Sequence, residues 1–262
     1  MPTIRSGDAD IYYEVTGSGE PLLMIMGFLS DSRMWMLQTP AFSEHFTCIT
    51  FDNRGVGNSS RPPGPYTMEQ MAADAIAVLD DAGVDKAHVL GISMGGAIAQ
   101  HVALKVPERV RSLVLAATWS QPNQWLERLS AISAQLTEHV GAEAFGSSVL
   151  LWLFTPALFI NSPDVIAVIE QMMTTIQPPM ESFENQLAAV HAHDTTEQLH
   201  QITAPTLVMG ARRDFMVPPE LAQIIADSIP GSRFEMLEGG HGFSAENTAE
   251  FNRVILEFLQ AQ

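Results

Sequence analysis

The sequence predicts an α/β fold, a mostly parallel and doubly wound sheet of about eight strands with an inserted helical cap. Two observations carry this prediction. Short apolar stretches bounded by glycine, proline or charged residues alternate with helical patterns along most of the chain. The alternation stops between about residues 120 and 203, where only helix-like stretches occur, and then resumes. We therefore expect one core made of residues 1–119 and 204–262, with residues 120–203 as a cap over the active site.

The strand candidates are short. The stretch DADIYYEV alternates between apolar and polar residues, as a half-buried strand does. Most of the others are apolar on both faces, which is typical of a parallel sheet covered by helices. In chain order, these are PLLMIMG, FTCITFD, AHVLGIS, VRSLVLAAT, APTLVMG and RFEMLEG.

Helix signals lie between the strand candidates. In the stretch TMEQMAADAIAVLDDAG, Thr67 and Gln70 have the spacing of a capping box, and Gly83 ends the helix. A second apolar stripe at helical spacing predicts the C-terminal helix. Its members are Phe251, Val254, Ile255, Phe258 and Leu259.

Length and composition narrow the class of protein. A chain of 262 residues has room for a sizeable core. Thirty acidic against thirteen basic residues give a net charge of −17, which argues against nucleic acid or an anionic membrane as partner. The N-terminus shows no apolar signal region, no apolar stretch approaches the roughly 20 residues of a membrane span, and Cys48 is the only cysteine. We expect a cytoplasmic protein, monomeric or homodimeric, that uses no cofactor or metal.

The stretch GISMG places Ser93 between two glycines where a predicted strand gives way to a predicted helix. In that context Gly-x-Ser-x-Gly is typical of a nucleophile elbow, a strained turn that presents the serine. A serine hydroxyl is a poor nucleophile at neutral pH, so it needs a base and an acid that orients the base.

The elbow predicts the order serine, acid, histidine, each beyond the end of a strand. Asp214 follows TLVMGARR, and His241 follows FEMLEGG. Taken singly, the aspartate could be a turn residue and the histidine a loop residue. Their order at three strand ends favours a catalytic triad of Ser93, Asp214 and His241. The oxyanion would be stabilised by two backbone N–H groups, those of Met94 and of Phe28 in the loop after LLMIMG.

With these motifs the chain resembles the serine-nucleophile branch of the α/β-hydrolase superfamily, nearly end to end. The stretch FDNRGVGNS is similar to the family's Asp-x-Arg-Gly-x-Gly-x-Ser loop, which is mainly structural there. The stretch from PPGPYT to AIAQ most resembles 3-oxoadipate enol-lactonases, aminoacrylate hydrolases and small bacterial carboxylesterases. Most relatives carry His-Gly before the oxyanion loop, whereas Met26 precedes Gly27 here. This departure implies a more apolar pocket floor.

Several residues are candidates for the substrate pocket, although packing in the core is the alternative for each. They are Met26, Trp125, Trp152, Phe154 and Phe159. Arg33, Arg212 and Arg213 could bind a substrate carboxylate, but pairing with the abundant acidic residues is favoured. The stretch HAHD, with His191, His193 and Asp194, lacks a further histidine, so a polar cap surface is favoured over a metal site.

The resemblance and the triad together predict a serine hydrolase that cleaves a small-molecule carboxylic ester or lactone through an acyl-enzyme on Ser93. Two alternatives stay open. The same triad could hydrolyse a carbon–carbon, amide or carbamate bond. A hydrolase-fold receptor could instead bind a small molecule for signalling.

Overall fold

A computed structural model describes residues 3–175 and 179–262 of the chain. Its strands are β1 Thr3–Ser6, β2 Ala9–Gly17, β3 Glu20–Ile25, β4 Phe46–Phe51, β5 Ala87–Ile92, β6 Val110–Ala116, β7 Thr206–Ala211 and β8 Arg233–Leu237. Within these described residues they form one eight-stranded sheet in the order β1-β2-β4-β3-β5-β6-β7-β8. From β4 to β8 along that order every pair is parallel. The predicted fold class is confirmed.

The first two strands are antiparallel, and β1 is not among the predicted strands. It is only four residues long, too short for its alternation to stand out from the sequence. Its pairing with β2 depends on a tight hairpin at Gly7, where φ is +56°. Glycine adopts this left-handed conformation without steric conflict.

The described residues also form eleven α-helices. They are α1 Thr39–Phe42, α2 Met68–Asp81, α3 Met94–Lys105, α4 Gln124–Val140, α5 Ala142–Leu153, α6 Pro156–Asn161, α7 Pro163–Thr175, α8 Met180–Ala192, α9 Pro219–Ser228, α10 Phe243–Glu246 and α11 Thr248–Gln260. The predicted capping box at α2 is confirmed. Gln70 N–H donates to Thr67 Oγ1 at 3.1 Å, and Thr67 N–H donates to Gln70 Oε1 at 3.0 Å. In the described part of the chain, no helix has the length and apolar character needed to cross a bilayer.

Helices cover both faces of the sheet, because successive strand residues point to opposite sides. In β3, Leu23 and Ile25 pack into a cluster with α2, α3 and α9. Leu22 and Met24 pack on the other face, in a cluster that contains the apolar stripe of α11. This double cover is why the parallel strands are apolar on both sides.

The segment between β6 and β7 (residues 120–203, here called the insert) carries helices α4 to α8. Its described residues contain no strand, and residues 176–178 lie outside the description. The insert has a small apolar cluster of its own. It comprises Leu150, Phe154, Leu158, Ile166 and Ile169.

Candidate active site

Ser93 stands on the sharp turn between β5 and α3, half-buried, with φ +56° and ψ −123°. This left-handed region is strained for a residue with a side chain. The turn needs glycine on both sides. A Cβ on Gly91 would lie 2.2 Å from the carbonyl oxygen of Gly95, and one on Gly95 would lie 2.1 Å from that of Ile25. The elbow geometry predicted from GISMG is therefore present.

His241 lies between the other two predicted residues of the triad. Its Nε2 is 2.9 Å from Ser93 Oγ, and its Nδ1 is 2.8 Å from Asp214 Oδ2. A carboxylate only accepts hydrogen bonds, so the neutral imidazole carries its proton on Nδ1. Nε2 is then free to accept a proton from the serine.

Asp214 is held in place by the backbone. Its Oδ1 accepts hydrogen bonds from the N–H groups of Met216 at 2.9 Å and Val217 at 2.8 Å. The side chain is fully buried. Both bonds use one oxygen, so the other faces His241.

The chain segment around the histidine (residues 238–242, here called the His241 loop) is fixed by the insert and by Glu246. The N–H of Gly242 donates to the carbonyl of Leu153 at 2.8 Å. Glu246 Oε2 accepts the N–H of Gly240 at 2.9 Å and that of Thr155 at 3.3 Å, and the Thr155 hydroxyl also bonds this carboxylate. Sequence reasoning missed Glu246. Its only signal was a carboxylate five residues after the predicted base.

The loop after β3 (residues 26–30, here called the β3 loop) lies against the serine. A Cβ on Gly27 would be 3.1 Å from Ser93 Cβ and 3.6 Å from Ser93 Oγ. In the part of the chain that the structure describes, the N–H groups of Phe28 and Met94 donate no hydrogen bond to the protein. The Met94 group belongs to the first turn of α3, whose N–H groups carry partial positive charge. Both groups remain available for a ligand.

Comparison with known proteins places this fold and site in a family. The family model described as alpha/beta hydrolase fold matches residues 20–248. The chain belongs to the α/β-hydrolase family.

Individual relatives are similar over nearly the whole length of this hydrolase. The protein named "Putative carbamate hydrolase RutD" from Azorhizobium caulinodans is 35% identical over 259 residues, with 98% of each chain covered. The crystal structure of the enol-lactonase from Burkholderia xenovorans LB400 matches with a TM-score of 0.92 and 25% identity, covering 99% of this chain and 100% of the other. A thermophilic esterase from Thermogutta terrifontis matches at 0.87 and 30%, covering 97% and 94%.

Two of the predicted pocket residues of this hydrolase lie beside the site. Met26 is buried immediately before Gly27, and its carbonyl accepts a hydrogen bond from Asn53 Nδ2 at 2.9 Å. Phe154, which follows α5, is buried against the His241 loop, and a Cβ on Gly242 would lie 2.2 Å from its ring.

The other three predicted pocket residues have different surroundings. Trp152 makes an edge contact with Phe145, with ring centroids 6.1 Å apart. Trp125 is 41% exposed and donates from Nε1 to the carbonyl of Phe215 at 2.9 Å. Phe159 packs against the apolar cluster of the insert. A pocket role for each stays a prediction.

The candidate carboxylate-binding arginines are engaged with acidic side chains, as the sequence favours. Arg33 Nη2 lies 2.6 Å from Asp31 Oδ2. Arg212 Nε and Arg213 Nη2 lie 2.7 Å and 3.9 Å from the carboxylate of Glu238. Arg33 is exposed but its partner Asp31 is buried, whereas Arg212 and Arg213 share the exposed carboxylate of Glu238.

Proposed function

We infer that this α/β hydrolase is a serine hydrolase that cleaves a small carboxylic ester or lactone. One observation carries this proposal: His241 lies within hydrogen-bond distance of Ser93 Oγ on one side and of the Asp214 carboxylate on the other. Such an arrangement supports proton removal from a serine that is otherwise a weak nucleophile.

Acylation begins when Ser93 Oγ attacks the substrate carbonyl carbon and His241 Nε2 takes the hydroxyl proton. Asp214 stabilises the resulting imidazolium through the Nδ1–H. The carbonyl oxygen becomes an oxyanion, which accepts hydrogen bonds from the N–H groups of Phe28 and Met94. When the tetrahedral intermediate collapses, the bond to the leaving oxygen breaks, and His241 gives that oxygen its proton.

Deacylation follows the same steps with water as the nucleophile. The water oxygen attacks the acyl carbon while His241 Nε2 takes a proton from the water. The second tetrahedral intermediate then releases Ser93 Oγ, which recovers the proton, and the carboxylic acid departs. In a lactone the acid and the alcohol are parts of one product molecule. The cycle as proposed uses no cofactor.

The surroundings support a small, uncharged acyl group as substrate. Met26 and Phe154, which are apolar and buried, lie next to the elbow and the His241 loop. The arginines that the sequence offered for binding a carboxylate lie against Asp31 and Glu238. Similar solved structures include an enol-lactonase and an esterase, which agrees with cleavage of a carboxylic ester bond.

The decisive variant is Ser93→Ala, assayed on p-nitrophenyl esters from acetate to octanoate. We expect kcat to fall by about 10³-fold or more, because the nucleophile is removed, while the fold is kept. Ser228→Ala, which removes a hydroxyl bonded to a helix carbonyl on α9, is the matched control. Near-normal turnover by Ser93→Ala refutes the proposal. Wild-type turnover that is greatest with short acyl chains supports a small pocket.

A carbamate hydrolase is the second candidate, because relatives up to 35% identical over 98% of this chain carry that name. The same serine would attack a carbamate carbonyl, and the difference lies in the group attached to it. A p-nitrophenyl ester and a p-nitrophenyl carbamate of equal size release the same phenol. Because the nitrogen makes the carbamate carbonyl less electrophilic, each kcat/KM is divided by the uncatalysed rate constant of the same substrate. A higher ratio for the carbamate favours the second candidate, and a higher ratio for the ester favours the first.

A further inference from the structure

Gln186, on α8 of the insert, is fully buried and uses both ends of its amide. Its Oε1 accepts the N–H of Leu29 at 2.9 Å, and its Nε2 donates to the carbonyl of Arg54 at 2.9 Å. A backbone N–H only donates and a backbone carbonyl only accepts, so the orientation of the amide is fixed. The glutamine thus joins the β3 loop to the loop after β4.

The Arg54 end of this connection is firmly held. Arg54 Nε and Nη2 donate to the carboxylate of Asp74 at 2.7 Å and 2.9 Å, and both side chains are buried. Bidentate pairs of this kind fix geometry as well as adding stability. The preceding residue, Asn53, also bonds the Met26 carbonyl at the start of the β3 loop. The Arg54 carbonyl is therefore a fixed reference point.

The Leu29 end needs such support. Leu29 has φ +54°, in the left-handed region that residues with a side chain rarely adopt. A hydrogen bond from Ser30 N–H to the Gly27 carbonyl, at 3.3 Å, closes the turn around it. Strained backbone of this kind persists where the surroundings determine it.

Helix α8 contacts the same loop a second time. Phe183, one turn before Gln186, packs edge-on against the ring of Phe28 with the centroids 5.2 Å apart. Phe28 precedes Leu29, and its N–H donates no hydrogen bond to the described residues. The direction of that N–H therefore depends on a backbone that α8 holds through Leu29 and through the Phe28 ring.

We propose that Gln186 is a positioning residue for hydrolysis: it fixes the Leu29 peptide and so aims the Phe28 N–H at the developing oxyanion. The inference rests on the function proposed above for Ser93. Gln186 acts through the β3 loop, so its loss should affect the transition state more than the binding of substrate.

The test variant is Gln186→Met, which keeps the length of the side chain and removes both hydrogen bonds. We expect kcat on the best p-nitrophenyl ester to fall by about 10- to 100-fold, because a donor displaced by a fraction of an ångström stabilises the oxyanion poorly. KM should stay within about threefold of wild type. Hydrogen exchange at the Leu29 amide, followed by mass spectrometry of a peptide covering the β3 loop, should become faster.

Asn252→Leu is the matched control. It removes another buried amide, whose Nδ2 donates to the carbonyl of Leu37 at 3.1 Å on the side of α11. We expect this variant to keep kcat even where its melting temperature falls. Equal losses of kcat in Gln186→Met and Asn252→Leu would overturn the proposal, since they would reflect stability alone. A Gln186→Met variant with kcat within twofold of wild type would also overturn it.

Gln186→Asn serves if Gln186→Met does not fold, since its side chain is one methylene shorter and cannot reach both the Leu29 N–H and the Arg54 carbonyl. A drop in kcat at constant KM supports positioning by Gln186, and a kcat within twofold of wild type overturns it. Failure of the underlying function is recognised separately. In that case Ser93→Ala keeps its turnover, whereas failure of the present inference leaves Ser93→Ala inactive and Gln186→Met active.

Discussion

His193 leads to a prediction about stability at low pH. It follows α8 and is buried, so the polar surface predicted for HAHD is wrong at this residue, although His191 and Asp194 are exposed. His193 connects the insert to the core. Its Nε2 lies 3.1 Å from the Trp119 carbonyl, and its Nδ1 lies 3.1 Å from His101 Nε2. The carbonyl can only accept, so the neutral ring donates from Nε2 and accepts a hydrogen bond at Nδ1. A second proton would have to sit on Nδ1, facing the N–H of His101.

Burial, and then the neighbouring His101, lower the pKa of His193 from 6.5 to about 4. Between these two values the unfolded chain binds a proton that the folded chain does not. His193 therefore leaves the free energy of unfolding nearly unchanged above pH 6.5 and lowers it as the pH drops from 6.5 towards 4. The difference between the two pKa values corresponds to a loss of about 3 kcal/mol in the free energy of unfolding. About 2.5 kcal/mol of this is already lost at a pH of about 4.5.

The assay is urea unfolding of wild type and His193→Gln at about pH 7 and about pH 4.5. The glutamine amide can still donate to the Trp119 carbonyl, but it does not titrate. Between the two pH values, the free energy of unfolding should therefore fall by about 2 kcal/mol more in wild type than in the variant. His139→Gln controls for removal of an exposed histidine. Equal losses in wild type and His193→Gln would refute the assignment of His193 as a neutral buried group.

Two further variants test the site itself. Asp214→Asn keeps an oxygen for the N–H groups of Met216 and Val217 but turns an amide N–H towards His241 Nδ1. The imidazole must then carry its proton on Nε2, so kcat should fall by about 10⁴-fold in steady-state assays with the melting temperature nearly unchanged; a loss below tenfold contradicts this tautomer argument. Glu246→Gln weakens the bonds to Gly240 and Thr155, and should lower kcat by about tenfold and the free energy of unfolding by about 1–2 kcal/mol in urea titrations. The matched control is Glu250→Gln, an exposed carboxylate on α11, and equal effects in both would contradict a special role for Glu246.

The elbow and its partners could be placed from the sequence because of one topological rule. The carboxyl ends of adjacent parallel strands meet at one edge of a sheet. Ser93, Asp214 and His241 follow β5, β7 and β8, which lie within four successive strands of the sheet. Glycine spacing around Ser93 then identified the strained turn. These signals are local, so a single sequence contains them.

The supporting residues could not be found this way. Gln186 and Glu246 act on backbone groups 157 and 91 positions away in the chain, and a backbone N–H leaves no trace in the sequence. The apolar residues of the insert were equally ambiguous. Trp125 is 41% exposed and Phe159 packs within the insert, although both side chains are large and aromatic. Only tertiary packing separates these cases.

The insert therefore holds backbone N–H groups in the two loops beside Ser93. Gln186 on α8 accepts the Leu29 N–H in the β3 loop, and the end of α5 accepts the Gly242 N–H in the His241 loop. Substitutions elsewhere in the insert can change its apolar surface without disturbing either attachment. The reacting groups need the same geometry whether an ester, lactone or carbamate carbonyl is attacked. With the attachments at Leu29 and Gly242 kept, the apolar surface of the insert could differ from one relative to the next. This is consistent with one fold shared by an esterase, an enol-lactonase and proteins named as carbamate hydrolases.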